Sequence, residues 1–171
     1  MTSGTTVWLN SVWGSRANDV FAVGDNGTIL HYDGSSWSAM NSGFPDYDFF
    51  DIWGTSSRDV FVVGWGWNGG FYDSIVLHYD GSSWSKVLSY PMDEFLSIWG
   101  RSATDVFVGV DIGAILHYDG TAWQEMESGT GNFLSSLWGD STHIFAVGNG
   151  GTILYYYTPA KVYLPLVVRG S

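Results

Sequence analysis

The dipeptide Trp-Gly recurs four times along the chain, and this repeat restricts the fold more than any other feature. The four tryptophans follow one another at intervals of 40, 46 and 39 residues; they are Trp13, Trp53, Trp99 and Trp138. In the first copy the sequence continues with "DVFAVG", "GTILHYDG" and "SSW", and the other copies are close variants. A period of about 40 residues is typical of proteins built from repeated structural units.

Each repeat reads as four short β-strands. The first strand ends in Trp-Gly, "DVFAVG" is β-branched and aromatic, and turn sequences such as "DNG" and Asp-Gly separate the later segments. No segment has the apolar spacing of a helix of useful length. A lone four-stranded meander cannot bury both faces, whereas radially packed meanders cover one another.

The sequence therefore predicts an all-β fold, a four-bladed β-propeller of four-stranded antiparallel meanders. It forms a single domain over residues 1–171, with repeats at approximately 7–44, 48–91, 94–130 and 133–168. An open solenoid is the structural alternative, although solenoids usually have shorter repeats and need capping ends.

Composition restricts the classes of partner. Six basic residues against seventeen acidic ones give a net charge of −11, and lysine and arginine form no run. A nucleic-acid-binding protein needs cations to displace counterions from phosphates, so we expect no nucleic-acid partner. Cysteine is absent, and the apolar stretch 162–168 is too short to span a bilayer. We predict no membrane insertion, no cofactor and no metal.

The repeated pattern of a Trp-Gly strand, "DVFAVG", "GTILHYDG" and "SSWS" resembles the propeller repeats of bacterial extracellular proteins, often grouped with sialidase-like or BNR-type repeats. The resemblance covers residues 7 to about 157. It implies a propeller located outside the cell or at its surface. The true Asp-box has the order Ser-x-Asp-x-Gly-x-x-Trp, and "YDGSSW" lacks the residue between Asp and Gly. Sialidase activity is therefore not implied.

Three histidines occupy one position of the third strand; they are His31, His78 and His117. Three equivalent imidazoles can surround a metal at a propeller axis, but third strands normally lie away from the axis. The favoured interpretation is a packing unit within each blade, in which the histidine joins a repeated aspartate (Asp19, Asp59, Asp105) and a fourth-strand tryptophan (Trp37, Trp84, Trp123). The carboxylates are mostly repeated turn residues, and the distinct pair that a glycosidase needs is missing. We expect no enzymatic activity.

Blade two departs from the repeat by an insertion of about six residues within "GWGWNGGFYD". It places four aromatic residues on a glycine-rich hairpin tip where the repeat elsewhere has polar turn residues; they are Trp65, Trp67, Phe71 and Tyr72. Exposed aromatic side chains on such a tip favour contact with a sugar ring or a protein partner. The alternative is internal packing against a neighbouring blade. The long linkers "NSGFPDYDFF" and "LSYPMDEF" are expected on the same rim.

Two terminal segments compete for one outer-strand position, because blade four ends in "TPAKVYLPLVVRGS" instead of "DGSSWSAM". The N-terminal candidate includes Val7 and Trp8; the C-terminal candidate includes Val162, Tyr163, Leu164, Leu166 and Val167. Either the C-terminal segment completes its own blade, or it is donated to a neighbouring molecule, which would link copies head to tail.

These observations favour a non-catalytic extracellular propeller that serves as an interaction or self-assembly module of a bacterial surface or filamentous structure. Its partner would be a protein, which can be a second copy of the chain. The alternative function is a lectin whose aromatic side chains stack on sugars.

Overall fold

A computed structural model describes residues 2–157 and 164–168 of the chain. Four antiparallel sheets of four strands each follow one another along the sequence, and each sheet has the strand order of a simple meander. The fold is a four-bladed β-propeller, which confirms the prediction from the repeat.

The first sheet is formed by β1 (Leu9–Arg16), β2 (Asp19–Gly24), β3 (Ile29–Tyr32) and β4 (Trp37–Met40). The second is formed by β5 (Tyr47–Ser56), β6 (Asp59–Trp67), β7 (Tyr72–Tyr79) and β8 (Trp84–Pro91). The third is formed by β9 (Phe95–Ser102), β10 (Asp105–Val110), β11 (Ile115–Tyr118) and β12 (Trp123–Met126). The fourth is formed by β13 (Leu134–Gly139), β14 (His143–Gly148), β15 (Ile153–Tyr157) and β16 (Leu164–Val168), with a short 3-10 turn at Asn149–Gly151.

The chain divides between Met92 and Asp93 into two compact units, each containing two sheets. The core of the first unit lies between its two sheets and is centred on aromatic and β-branched side chains such as Phe21, Phe49 and Val62. The core of the second unit is built in the same way around Phe107, Leu134 and Tyr156. The repeat thus places equivalent side chains in both cores.

The first strand of each of the first three sheets is longer than the sequence suggested. It does not end at Trp-Gly but continues for two residues, so that Arg16 pairs with Asp19 and Ser56 pairs with Asp59 across the following turn. The register shifts between Gly14 and Arg16 in β1 and between Gly54 and Ser56 in β5, as it does at a β-bulge, and the pairing resumes after the shift. None of the helical segments within the described residues is long and apolar enough to cross a membrane.

Candidate functional site

The insertion in blade two lengthens a hairpin instead of forming a loose loop. The β6–β7 pairing continues outward to Trp67 and Tyr72, which face each other next to the turn Asn68–Phe71. In the first sheet the corresponding pairing ends at Val23 and Ile29. Three of the four aromatic residues that the sequence placed on the tip therefore lie in paired strands, and Phe71 alone belongs to the turn.

Alternation along β6 explains the pattern "GWGW". Successive strand residues point to opposite faces, so Gly64 and Gly66 share one face while Trp65 and Trp67 share the other. A Cβ atom on Gly66 would lie 2.2 Å from the carbonyl oxygen of Asp46 and 2.6 Å from the Cα of Tyr47. Glycine at this position lets β5 lie close against β6, and both tryptophans remain on the opposite face.

The rings on that face contact one another. The Trp65 and Tyr72 ring centroids are 4.6 Å apart, and Trp67 meets Tyr72 at 5.2 Å with an interplanar angle of 66°. Trp67, Phe71 and Tyr72 are each about half exposed, and Trp65 is half-buried beneath them. We call the group of Trp65, Trp67, Phe71 and Tyr72 the aromatic tip.

A buried carboxylate, that of Asp73, lies directly after Tyr72 of the aromatic tip in β7. Asp73 is buried, and it accepts hydrogen bonds of 2.5 Å from the hydroxyl groups of Tyr47 and Ser89. Burial raises the pKa of the Tyr47 hydroxyl, and the neighbouring Asp73 carboxylate raises it further, so Tyr47 remains a donor. These bonds connect β5, β7 and β8, and hydrogen bonds to a buried charged group are among the stronger ones in proteins.

A shallow groove of about 290 Å³ lies beside the aromatic tip. Apolar side chains and one residue of each charge contribute to its walls; they include Phe44, Pro45, Asp46, Tyr47, Trp67 and Lys86. The ammonium nitrogen of Lys86 lies 5.9 Å from the centre of the Phe44 ring, within the range of a cation–π contact. The groove thus offers an apolar surface with polar groups at its edge.

Met92 lies next to the aromatic tip and was not singled out by the sequence. Its backbone N–H donates to the carbonyl of Tyr72 at 3.3 Å, and its side chain is largely exposed. Its φ angle of 74° lies in a region that non-glycine residues rarely adopt. A methionine in a linker gives no periodic signal, so this position emerges from the backbone pairing alone.

The repeated histidines form separate polar units, one in each of the first three sheets. The Nε2 atom of each histidine lies 2.7 Å from the aspartate of its own sheet; the pairs are His31–Asp19, His78–Asp59 and His117–Asp105. The other oxygen of each carboxylate binds a second side chain; these side chains are Ser15 for Asp19, Thr55 for Asp59 and Arg101 for Asp105. The histidine–aspartate part of the predicted packing unit is therefore present in all three sheets.

The third member of that predicted unit is different. Each histidine ring packs on the phenylalanine of the second strand, with centroids about 4.4 to 4.5 Å apart. The fourth-strand tryptophans pack on the tyrosine that follows the histidine; these pairs are Tyr32–Trp37, Tyr79–Trp84 and Tyr118–Trp123. Tyrosine and tryptophan are directly paired across the β3–β4 ladder and its equivalents, so their side chains share one face.

The order of groups in these units does not match a catalytic triad. A nucleophilic serine needs a histidine as its immediate base, and the histidine needs the aspartate behind it. Here Asp19 lies between Ser15 and His31: the serine hydroxyl donates to one carboxylate oxygen, and the imidazole binds the other. Among the described residues, no cluster of three or more histidine, aspartate or glutamate side chains is arranged to hold a metal ion.

The two terminal segments occupy different places. β16 pairs antiparallel with β15 of its own sheet, with Leu164 opposite Tyr157 and Leu166 and Val167 opposite Tyr155 and Leu154. Val162 and Tyr163 lie outside the described residues. Val7 and Trp8 precede β1 and belong to no strand; the Trp8 carbonyl accepts from the backbone of Asp25, and the Trp8 side chain is mostly exposed.

No protein-family model matches the sequence, and no curated protein matches it. Solved structures do. A structure of YCF48 bound to D1 peptide superposes with a TM-score of 0.69 at 20% identity over 96% of this chain and 56% of that one. YCF48 from Cyanidioschyzon merolae gives 0.67 at 17% identity over 98% of this chain and 59% of that one. The chain thus spans less than two thirds of either YCF48 chain.

Two further structures extend the comparison. The computationally designed Ika4 protein gives a TM-score of 0.67 at 15% identity, with 92% of this chain and 95% of that chain covered. The β-propeller domain of Myceliophteria thermophila Cps50 (Swd1) gives 0.62 at 8% identity over 93% of this chain and 57% of that one. The shared feature is the fold. At identities this low the likeness establishes the propeller architecture and no more.

Proposed function

We propose that this chain is a non-catalytic protein-binding propeller, and that the aromatic tip and its adjoining groove bind a peptide segment of a partner protein. The observation behind the proposal is the cluster of half-exposed rings at Trp67, Phe71 and Tyr72, held on a rigid hairpin. Aromatic side chains dominate the binding energy of protein interfaces because they bury a large area at little cost in conformational entropy.

The hairpin that carries the aromatic tip is held in place by its neighbouring strands, and this favours a binding role for the exposed rings. The hydrogen bonds of buried Asp73 and the close approach of β5 to Gly66 fix the hairpin before any partner arrives. A surface that is already ordered loses less entropy on association. The groove adds an ammonium group at Lys86 and a carboxylate at Asp46, which suit polar groups of a peptide backbone or side chain.

Two further facts support a protein partner. The net charge of −11 favours neutral or basic partners. The superposable YCF48 structure is described as bound to a D1 peptide, so the same architecture binds a peptide in that protein.

Peptide binding is tested by selection from a phage-displayed random peptide library, followed by affinity measurement on the strongest peptide. Trp67→Ser and Phe71→Ser should each weaken that peptide's affinity by roughly tenfold or more, as loss of an aromatic anchor does. Ile112→Ser is the matched control, because Ile112 is an equally exposed apolar residue on a turn of the second unit. Peptides whose affinity is the same for all four proteins would rule out the aromatic tip as the binding surface.

The second candidate is carbohydrate binding, favoured by the open faces of Trp67 and Tyr72. Stacking on a sugar ring requires an exposed aromatic face, and these two rings meet at 66° and so present two differently oriented platforms. A glycan array distinguishes the candidates. Glycan signals that vanish in Trp67→Ser, together with an empty peptide selection, would establish the lectin function instead.

We also propose that the protein has no enzymatic activity. The order Ser15–Asp19–His31 supports it, since the serine hydroxyl donates to the Asp19 carboxylate, whereas a nucleophilic serine donates to a histidine. A screen on sialyl and other glycosides in which purified protein turned over any substrate, and a His31→Leu variant did not, would overturn it.

We place this module outside the cell or on a bacterial surface. The resemblance of its repeats to those of extracellular bacterial propellers supports this setting. Protease treatment of intact cells tests it, because a surface protein is degraded while a cytoplasmic marker survives.

A further inference from the structure

The chain contains three Asn-Gly dipeptides, and each lies in a turn between the second and third strands of a sheet; they are Asn26–Gly27, Asn68–Gly69 and Asn149–Gly150. Asparagine is among the chemically labile residues, and glycine after it adds no side chain that could obstruct the amide. The backbone nitrogen of such a glycine can attack the side-chain amide carbon of the asparagine. The three turns differ in how freely they allow this attack.

The turn at Asn26–Gly27 is packed against the linker that follows the first sheet. Gly27 is buried, and its backbone N–H donates to the carbonyl of Tyr47 at 2.6 Å. A Cβ atom on Gly27 would lie 2.4 Å from the carbonyl oxygen of Phe44. The Gly27 nitrogen is therefore engaged and has no room to move, so this dipeptide should react slowest.

The turn at Asn149–Gly150 is exposed, but its backbone is held on both sides. The Asn149 N–H donates to the carbonyl of Phe133, and the Asn149 carbonyl accepts from the N–H of Thr152, both at 3.1 Å. The side chain of Asn132 lies 3.1 Å from the position of a Cβ atom on Gly150. This dipeptide should react at an intermediate rate.

The turn at Asn68–Gly69 is exposed at the end of the β6–β7 hairpin, and it differs from the other two in its side-chain bonds. The Oδ1 atom of Asn68 accepts hydrogen bonds of 3.1 Å from the backbone N–H groups of both Gly70 and Phe71. The side-chain oxygens of the other two asparagines accept no such pair of bonds from the described residues. A Cβ atom on Gly69 would meet no other described atom within 4 Å.

Two donors on one amide oxygen favour attack on the carbon that carries it. Negative charge develops on Oδ1 of Asn68 when a nitrogen adds to Cγ, and N–H groups already directed at that oxygen stabilise the charge. The same arrangement serves as the oxyanion hole of acyl-transfer enzymes. The hairpin thus provides both the freedom and the electrostatics that this reaction needs.

We propose that Asn68 is a self-modification site of this protein. The Gly69 backbone nitrogen forms a bond to Cγ of Asn68, and the bond from Cγ to Nδ2 breaks. The proton of the Gly69 N–H leaves with the amide nitrogen as ammonia, and a succinimide ring remains. Water then opens the ring at one of its two carbonyl carbons, giving aspartate or isoaspartate at position 68. No change of oxidation state occurs.

Both products change the aromatic tip. Aspartate adds a negative charge beside the exposed rings while it still accepts the two backbone hydrogen bonds. Isoaspartate carries the main chain through its side-chain carbons, so the turn becomes longer by one backbone atom and the pairing of Trp67 with Tyr72 is disturbed. An effect on peptide affinity rests on the proposed function, whereas the modification itself does not.

The modification is tested by incubating the purified chain in mildly alkaline buffer and following each dipeptide by proteolytic digestion and mass spectrometry. Asn68 should convert faster than Asn149, and at least roughly tenfold faster than Asn26, since oxyanion donors accelerate acyl transfer by this much or more. Asn68→Ser should abolish conversion at that position and leave the other two rates unchanged. Asn149→Ser is the matched control, and it should leave the rate at Asn68 unchanged.

The same measurement in guanidinium chloride shows whether the folded turn drives the reaction. Unfolding removes the differences between the three turns, so the three rates should converge, with Asn68 slower and Asn26 faster than in the folded protein. A rate at Asn68 that is no higher in the folded protein than in the unfolded one overturns the proposal. So does a folded protein in which Asn149 or Asn26 reacts first.

The effect on the aromatic tip is measured on protein aged until Asn68 has converted. Amide exchange at Trp67 and Tyr72 should accelerate in aged wild-type protein and stay unchanged in equally aged Asn68→Ser. Unchanged exchange in both would show that the modification leaves the tip intact, against the proposal. A selected peptide should also bind aged wild type more weakly than aged Asn68→Ser. An empty peptide selection would count against the proposed function alone, because the mass measurement needs no ligand.

Discussion

Single aspartates hold the turns between the third and fourth strands. The Asp33 Oδ1 atom accepts hydrogen bonds from the backbone N–H groups of Ser35 and Ser36 at 2.8 and 2.9 Å, and from the Ser35 hydroxyl at 2.8 Å. Asp80 and Asp119 repeat this arrangement in the next two sheets. Three donors around one carboxylate stabilise its charged form, and they lower the pKa of all three carboxyls to about 2.

These turns predict a loss of stability in acid. A carboxyl whose pKa is 3.8 when unfolded and about 2 when folded favours the folded state above pH 4, and this contribution disappears as the pH falls towards 2. The triple variant Asp33→Asn, Asp80→Asn, Asp119→Asn should have a flatter dependence of the urea midpoint on pH between 4 and 2, because asparagine does not titrate.

A control variant must remove the same charge elsewhere. Asp46→Asn, Glu125→Gln, Glu127→Gln loses three negative charges from exposed residues and should keep the wild-type slope in acid. Equal slopes for the wild type and the turn variant would show that these turns do not govern acid stability.

The β6–β7 hairpin is the element in which the sequence departs furthest from its own repeat. Gly66 and Gly70 lie in it only four residues apart, yet their surroundings are opposite. A Cβ atom on Gly66 would meet backbone atoms of Asp46 and Tyr47 at 2.2 to 2.6 Å, whereas the nearest atom to one on Gly70 is the Asn68 side-chain oxygen at 3.7 Å.

Alanine at the two positions should therefore have unequal effects. Gly66→Ala forces β5 away from β6, and overpacking of this kind costs about 1 to 3 kcal/mol. We expect its thermal midpoint to fall by several degrees, and amide exchange at Trp65 and Trp67 to accelerate. Gly70→Ala should match the wild type in both measurements. Similar midpoints for the two variants would mean that the hairpin tolerates a wider strand separation.

Within each element, the sequence was informative where a residue's role depends on its own sheet. The strand order, the turns and the histidine–aspartate pairs all follow from local alternation and turn chemistry, and the structure confirms them. The prediction that Trp37 packs with His31 was wrong. Trp37 lies directly opposite Tyr32 in the β3–β4 ladder and packs on its ring. The length of the β6–β7 hairpin was also missed, since "GWGWNGG" gives a turn signal and a strand signal at once.

At the scale of the whole molecule, identical repeats do not have identical surroundings. Val12 and Ile52 occupy the same position of "VWG" and "IWG", but Val12 is 64% exposed and Ile52 is buried. No pattern within one repeat distinguishes them, because burial here depends on which sheet lies alongside. Ile52 is buried because it lies in the core that the first two sheets share, so its burial follows from packing between sheets and not from the sequence of its own repeat.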